Sequence, residues 1–339
     1  MANKYNVITS AGNDVGEQAV LISEAERKLI SKDIQKTTYP ASVFYQMATL
    51  KQDFGVGVGG TVEFTVLGEL AKGSKLVEGV PIETKAVTSS KKYLTMDEWG
   101  NAIKVTEAAI RKNPWNVISE HSKLLAQDAR VTLDVSFRDV IASTSNTLYI
   151  PNSSDATPND IASFDGTELW DLAFVDTFVE TFENLKPLPF IDPLTGEEYY
   201  VLYVHPHHER QLKKIYDSAN NPVYTPVKDY DRKRRILRGE SGILDGKFRV
   251  ISTRLVKNAH STADQYSSDD TLLGGAGSDI PLYEAYAVGY NGIGFSSGLD
   301  IEFRVGALED FGRMRSLAWY GLWGVGIVNE NCTLKIVGA

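Results

Sequence analysis

Residues 56–106 constrain this chain more than any other stretch, because they read as long strands carrying too little apolar surface to stand unaided. A glycine run, Gly55, Gly57, Gly59 and Gly60, leads into Thr61-Val62-Glu63-Phe64-Thr65-Val66. Val62, Phe64 and Val66 alternate with polar residues, the period of a strand with one apolar face. The chain then turns polar through Glu69, Lys72, Gly73, Ser74, Lys75, Glu78, Gly79, Pro81, Glu83 and Lys85. It returns through Lys91-Lys92-Tyr93-Leu94-Thr95-Met96, Trp99-Gly100 and Ile103-Lys104-Val105. The pattern predicts a long antiparallel hairpin. A two-stranded ribbon is marginal in water, so this one makes sense mainly if neighbouring chains cover it.

On the N-terminal side, Ser23 and Glu26 have capping-box spacing and predict a short helix over residues 24–35, ended by Pro40. A second short apolar piece, Val43-Phe44-Tyr45-Gln46-Met47, completes what reads as an arm that packs on something else. On the other side, Asn113 as N-cap and Pro114 in the first turn predict a helix running to residue 141. Its apolar stripe is Trp115, Ile118 and Leu125, widened by Leu124 and Val131 and extended by Leu133, Phe137, Val140 and Ile141. Arg130, Asp134 and Arg138, four apart, predict an exposed ion ladder. Such a helix is about 40 Å long at 1.5 Å per residue, a beam rather than a compact core element.

Residues 151–166 form a polar linker. A helix is predicted over 167–185, with Leu169, Leu172, Val179 and Phe182 inward, then a buried strand over 199–204 and a helix from 207 to 216. Residues 217–242 read as loop, Asp245-Gly246 as a tight turn, and 258–280 as a second polar loop. Strands follow at 248–252, 283–288, 299–305, 315–328 and 332–337. The class is α+β, with one beam helix and mostly antiparallel strands.

Composition bounds the function. Of 339 residues, 42% are apolar and 10% aromatic, enough for a substantial core. The net charge of −9 argues against a chain that wraps nucleic acid by its own charge. One cysteine, Cys332, rules out an internal disulfide and fits a reducing cytoplasm. The opening MANKYNVITS shows no apolar run of a secretory signal, and the longest apolar run, residues 317–328, falls short of the roughly 20 residues a membrane-spanning helix needs.

The residues that suggest chemistry are each better explained without it. Gly55-x-Gly57-x-x-Gly60 matches a dinucleotide pattern by letter but precedes a strand rather than a helix. His205-Pro206-His207-His208-Glu209 has zinc-ligand residue types, and a metal-dependent hydrolase is the enzyme alternative it raises; the spacing favours a strand-to-helix corner. Gly274-Gly275-Ala276-Gly277-Ser278-Asp279 resembles one calcium-binding repeat without the stack that such sites need. Cys332, in an alternating apolar strand, reads as a core thiol, and Gly239-Glu240-Ser241-Gly242 lacks nucleophile-elbow spacing. The basic run Arg232-Lys233-Arg234-Arg235 reads as an inter-subunit contact or a solvated loop rather than a DNA site. No catalytic, cofactor-binding or metal residue is assigned.

The order of segments, with Gly59-Gly60-Thr61-Val62-Glu63-Phe64, Leu76-Val77-Glu78-Gly79-Val80-Pro81, Trp99-Gly100, Tyr203-Val204-His205-Pro206, Gly242-Ile243-Leu244-Asp245-Gly246-Lys247-Phe248 and Arg313-Met314-Arg315-Ser316-Leu317-Ala318-Trp319, resembles the major capsid proteins of tailed bacteriophages. These have the Hong Kong ninety-seven-type fold, and the branch is similar to that of phages related to coliphage N-four. The resemblance implies an N-terminal arm (1–52), an extended hairpin loop (53–106), a peripheral domain with its spine helix (107–150), an axial domain (151–298), and closing peripheral strands (299–339). It implies a structural protein of the virion, self-assembling in the host bacterial cytoplasm into hexamers and pentamers of an icosahedral or prolate head around double-stranded DNA. Scaffolding protein, portal and a decoration protein are the implied partners, with no membrane and no cofactor. The alternative within phages is a tail or decoration protein. The resemblance marks Lys72, Lys75, Glu78, Trp99, Arg232, Arg234 and Arg235 as inter-subunit contact candidates, and Gly55, Gly57, Gly59, Gly60 and Gly100 as hinge candidates. Some relatives join Lys to Asn between subunits; Lys72 or Lys75 with Asn329 or Asn331 have the matching types.

Overall fold

The computed structural model describes residues 30–32, 42–53, 60–68, 72–73, 75, 84–113, 117–152, 164, 166–230, 235–257 and 282–339. The predicted helix over 24–35 falls largely outside these residues; residues 30–32 are helical. The polar loop over 258–280 and its calcium-repeat look-alike fall wholly outside them.

In chain order, a 3-10 turn at Tyr45–Met47 leads into β1 (Ala48–Asp53), β2 (Thr61–Leu67), β3 (Ser89–Thr95) and β4 (Asp97–Thr106). Helices α1 (Glu107–Lys112) and α2 (Val117–Ala142) precede β5 (Thr147–Tyr149) and α3 (Leu172–Asn184). Then come β6 (Phe190–Ile191), β7 (Glu198–Val204), α4 (Pro206–Leu212), β8 (Tyr224–Pro226), β9 (Glu240–Leu244) and β10 (Phe248–Ser252). Strands β11 (Tyr283–Val288), β12 (Ile293–Glu309), β13 (Met314–Ile327) and β14 (Thr333–Gly338) close the chain. The chain divides into two compact units, residues 1–42, 97–133 and 298–323, and residues 43–96, 134–297 and 324–339.

In the first unit, β4 pairs antiparallel with β13 from Met314 opposite Thr106 to Trp323 opposite Asp97, and β13 neighbours β12. Residues 97–106, expected to be the ribbon's return, therefore belong to a different sheet. Their fit there is physical. Trp99 stacks on Trp323 at 5.6 Å, Trp323 stacks on Trp319 at 5.9 Å, and the Trp319 Nε1 donates to Asp128 at 2.8 Å. Helix α1 was not anticipated. Thr106 caps it, accepting from the Ala109 N–H, and Asn113 is its C-cap; residues 114–116, where the beam is predicted to start, lie outside the described residues. Helix α2 has 26 residues, about 39 Å at 1.5 Å each. In this unit it buries Leu125 and Leu133 as expected, while Leu124 is 55% exposed.

The second unit is built on a sheet of order β5-β14-β11-β7-β10-β9-β8, with β6 paired to β7. It is mixed: β7 and β10 run parallel, as do β5 and β14, and the other pairs are antiparallel. The near-continuous apolar run of β7 buries Val201 to Val204 completely, as a central strand covered on both faces must. Helix α3 lays Phe174, Val175, Phe178 and Phe182 on this sheet against Phe248, Val250, Leu202 and Leu244. Of the predicted inner stripe, Phe182 is buried and Leu172 and Val179 pack against the core, but Leu169 precedes the helix and is 48% exposed, because Asp171 caps the helix by accepting from the Phe174 N–H and so starts it at Leu172. The Asp245-Gly246 turn appears as read, with φ of 48° and 69°, joining β9 to β10. The stretch 217–242 read as loop is corrected: β8 lies wholly within it and β9 begins in it.

The predicted exposed ladder Arg130-Asp134-Arg138 is corrected: Asp134 is fully buried and Arg138 is 3% exposed. Asp134 Oδ1 accepts from the backbone N–H of Val43 at 2.9 Å and of Phe44 at 3.0 Å. The Tyr203 hydroxyl donates to the Val43 carbonyl at 3.0 Å, and the Phe44 and Tyr203 rings lie 4.4 Å apart. The segment entering β1 is thus held from both sides. Asp134→Ala leaves the buried Phe44 N–H and its neighbour without this acceptor and is expected to cost about 2 kcal/mol. Urea denaturation of the purified chain measures it, and an unchanged midpoint would remove the clamp from the account.

Candidate functional site

The ribbon is shorter than expected. Strands β2 and β3 pair antiparallel from Thr61 opposite Thr95 to Leu67 opposite Ser89, and the Gly68 N–H continues the ladder to the Thr88 carbonyl at 2.7 Å. Alternation sorts β2 as its sequence dictates: Val62 is 1% exposed, Phe64 and Val66 are half-buried, and Glu63 and Thr65 are exposed. Its base is not bare, contrary to expectation. Val62 and Leu94 pack on Val328 of the same chain. Gly326 makes room there, since a Cβ on it would lie 2.9 Å from Leu94 Cγ. Phe64, Val66 and Met96 also pack against this cluster, and the cover runs out on β3. Lys92 stands opposite Phe64 and Ser90 opposite Val66, so β3 offers Leu94 as its one buried residue. Residues 84–93 are exposed throughout, with Tyr93 at 63% and Val87 at 51%.

The contact candidates fall in several places. Lys72 and Lys75 are exposed near the ribbon's far end, where the Lys72 carbonyl accepts from Lys85 Nζ at 2.9 Å. Trp99 is half-buried in the tryptophan stack of the first unit. Glu78, Arg232 and Arg234 lie outside the described residues, as do Gly55, Gly57 and Gly59. Gly60 is exposed, with open space where a Cβ would project. Gly100 sits mid-ladder, where a Cβ would come within 2.9 Å of the Trp319 carbonyl oxygen, so close strand approach accounts for this glycine. Asn329 caps the last 3-10 turn by accepting from the Asn331 N–H, and Asn331 is exposed. Cys332 is buried as read, and burial pushes its thiol up.

Arg235 belongs to an arrangement that sequence reading missed. Its Nη2 donates to the Glu240 carbonyl at 2.6 Å. The Glu240 carboxylate is fully buried and accepts four hydrogen bonds, from the Tyr230 hydroxyl (2.6 Å), Arg249 Nη1 (2.8 Å), and the N–H groups of Ile236 (2.9 Å) and Leu237 (3.0 Å). Arg249 is 3% exposed and lies over the Tyr199 ring at 5.1 Å. Glu240 therefore ties down both edges of the basic run, Tyr230 before it and Arg235 to Leu237 after it.

The histidine corner is no metal cradle. His205 Nδ1 caps α4 by accepting from the His207 N–H at 3.2 Å, and its ring stacks on Tyr283 at 3.8 Å. His208 is wholly buried beside Trp170, while Glu209 pairs with Lys213 at 2.6 Å. His207 and His208 also border the Tyr283 ring, at 5.8 and 6.0 Å, and no group of three ligating residues converges among the described residues. No helix among them is long and apolar enough to cross a membrane.

Comparison with known proteins adds what geometry alone does not. No curated protein matches the sequence. Among solved structures, the chain is similar to the capsid of Ralstonia phage GP4, with a TM-score of 0.62 at 14% identity over 89% of this chain and 90% of that one. It is similar to the capsid of Helicobacter pylori bacteriophage KHP30, with a TM-score of 0.59 at 13% identity over 87% and 90%. The capsid of cyanophage Pam1 gives 0.57 at 14% identity over 100% and 99%. These likenesses establish the mixed α+β fold of phage capsid proteins. The sequence profile of phage capsid proteins matches residues 89–336, well over half of the chain, which belongs to that family and is a major capsid structural protein of the virion.

Proposed function

We propose that this chain self-assembles into hexamers and pentamers that close an icosahedral or prolate head around double-stranded DNA. In this reading its architecture is the Hong Kong ninety-seven type, in the branch related to coliphage N-four. Of the stretch 53–106, residues 53–96 act as the extended loop over an adjacent subunit; 107–150 carry the spine helix, 151–298 form the axial domain, and 299–339 return as closing strands. Assembly takes place in the host cytoplasm with a scaffolding protein and a portal, and a decoration protein joins the finished shell. Lys72, Lys75, Glu78, Trp99, Arg232, Arg234 and Arg235 contribute contacts between copies, with Gly55, Gly57, Gly59 and Gly60 taking up the ribbon's rotation.

The observation that carries this reading is the exposure of residues 84–93, beside which Phe64 and Val66 stay half-buried although they pack against Val62, Leu94 and Val328. A lone chain gains little there, whereas a neighbour laid over the ribbon buries it, so ordering and association are coupled. Interfaces that hold stably bury about 1,600 Å² in total, within reach of a ribbon and an arm together. The test is electron microscopy of the purified chain, with hydrogen exchange on residues 84–95. Closed shells or hexameric and pentameric capsomers are expected, with amide protection across the ribbon rising on assembly. Tubes would instead favour a tail protein. A stable monomer whose ribbon is already protected would overturn the reading.

A further inference from the structure

The turn joining β12 to β13 holds three successive residues in the left-handed region, Asp310 (φ 51°), Phe311 (φ 53°) and Gly312 (φ 85°). Glycine adopts that conformation freely; a bulky aromatic residue adopts it at a cost. Phe311 is also fully exposed, at 104%, and has Leu308 at 40% as its nearest exposed apolar companion in sequence. A lone chain therefore loses twice by placing phenylalanine here, in backbone strain and in apolar surface left in water. Yet the turn is firmly built. Arg313 N–H donates to the Asp310 carbonyl at 3.0 Å, Arg313 pairs with Asp310 at 3.3 Å, and the Glu107 N–H donates to the Arg313 carbonyl at 2.9 Å, tying the turn to α1. Lys104 pairs with Glu309 at 2.6 Å.

We infer that Phe311 is an anchor that inserts into the surface of a second copy of this chain. The inference rests on the shell assembly proposed above, which makes other copies the surfaces most often in reach. The charges around the tip agree with it. Glu309, Asp310, Lys104 and Arg313 are matched within the chain, so the tip offers no surplus of cations to a nucleic acid. A single aromatic residue with one partly exposed leucine is also too small an apolar surface to hold a membrane. A ring presented on a rigid, charge-neutral turn matches a protein hot spot, where buried aromatic residues dominate affinity.

Phe311→Gly separates folding from docking, because it relieves the strain while removing the ring. The full-length variant is expected to melt at the wild-type temperature or above it before assembly, and to need at least tenfold more protein to form capsomers or shells by light scattering. In parallel, benzoylphenylalanine placed at 311 and photolysed in assembled wild-type-like particles is expected to join two copies of the chain, with mass spectrometry locating the acceptor. If wild type and Phe311→Gly assemble at the same concentration, or the photoproduct joins a scaffold or decoration protein instead, this inference falls while the shell reading stands. If the wild-type chain itself stays monomeric, both fall.

Discussion

Glu240→Ala is expected to destabilise the second unit by about 3–5 kcal/mol, the range found when one partner of a buried ion pair is removed. The residue is fully buried and Arg249, at 2.8 Å, is 3% exposed. The substitution removes the carboxylate closest to that guanidinium, and it also strips acceptors from Ile236, Leu237 and Tyr230. Burial and the bond to Glu240 already raise the Tyr230 hydroxyl pKa well above its usual value, so that group remains a donor in need of an acceptor. Glu240→Gln keeps the shape and an oxygen for the two backbone N–H groups, and should fall between alanine and wild type. The exposed pair Lys91–Glu63, with side chains 56% and 39% exposed, is the control; exposed pairs of this kind contribute little, and Glu63→Ala should leave the midpoint unmoved. Urea denaturation with an unchanged m-value isolates the stability term. Equal midpoints for Glu240→Ala and wild type would refute the clamp. Because the carboxylate holds Tyr230 and Ile236 on either side of the basic run, the same variant should also impair any contact that the run makes between copies.

Much of the strand content was legible because alternation and burial report it directly. Val62, Phe64 and Val66 announced β2, the unbroken apolar run announced β7, and Asp245-Gly246 announced a turn that needs two positive φ angles. What periodicity does not carry is the partner. Residues 97–106 read correctly as strand and wrongly as the ribbon's return, because their pairing with residues 314–323 spans two hundred residues and rests on a tryptophan stack. Asp134 and Glu240 were invisible for a related reason. Charged residues read as solvent-facing until the fold supplies several donors at once, and sequence spacing says nothing of donors from distant segments. The helix stripe of α3 was recoverable. Asp171 four residues before Val175 is an N-cap signal, and taking it drops Leu169 from the stripe and adds Phe174 and Phe178 to Leu172, Val179 and Phe182. Phe311 escaped because a single surface aromatic residue is ordinary; its unusual feature is a backbone angle, which no residue pattern prints.

Acid should weaken the second unit through His208, and the sign follows from its surroundings. The ring is wholly buried beside Trp170 and Tyr283. Burial first, and the neighbouring His205 and His207 second, hold its pKa down at about 3, against 6.5 in the unfolded chain. Above pH 6.5 neither state takes up the proton and the full stability is present. As pH falls from 6.5 toward 3 the unfolded chain binds a proton that the folded chain refuses, so stability declines by up to about 1.4 kcal/mol per pH unit. Between pH 6.5 and pH 4 this single group accounts for a loss of about 3 kcal/mol. His208→Phe keeps a ring in the same place and cannot titrate. Carboxylates elsewhere contribute alike to both chains, and any packing penalty of the new ring is present at every pH. The difference between the two pH-dependent losses therefore belongs to His208 alone. Urea midpoints at pH 7, 5 and 4 should show wild type losing more than the variant, with the gap widening below pH 6. Parallel losses in the two chains would mean that the folded protein lets a proton reach this ring, and the corner would then be open to water rather than sealed by Trp170.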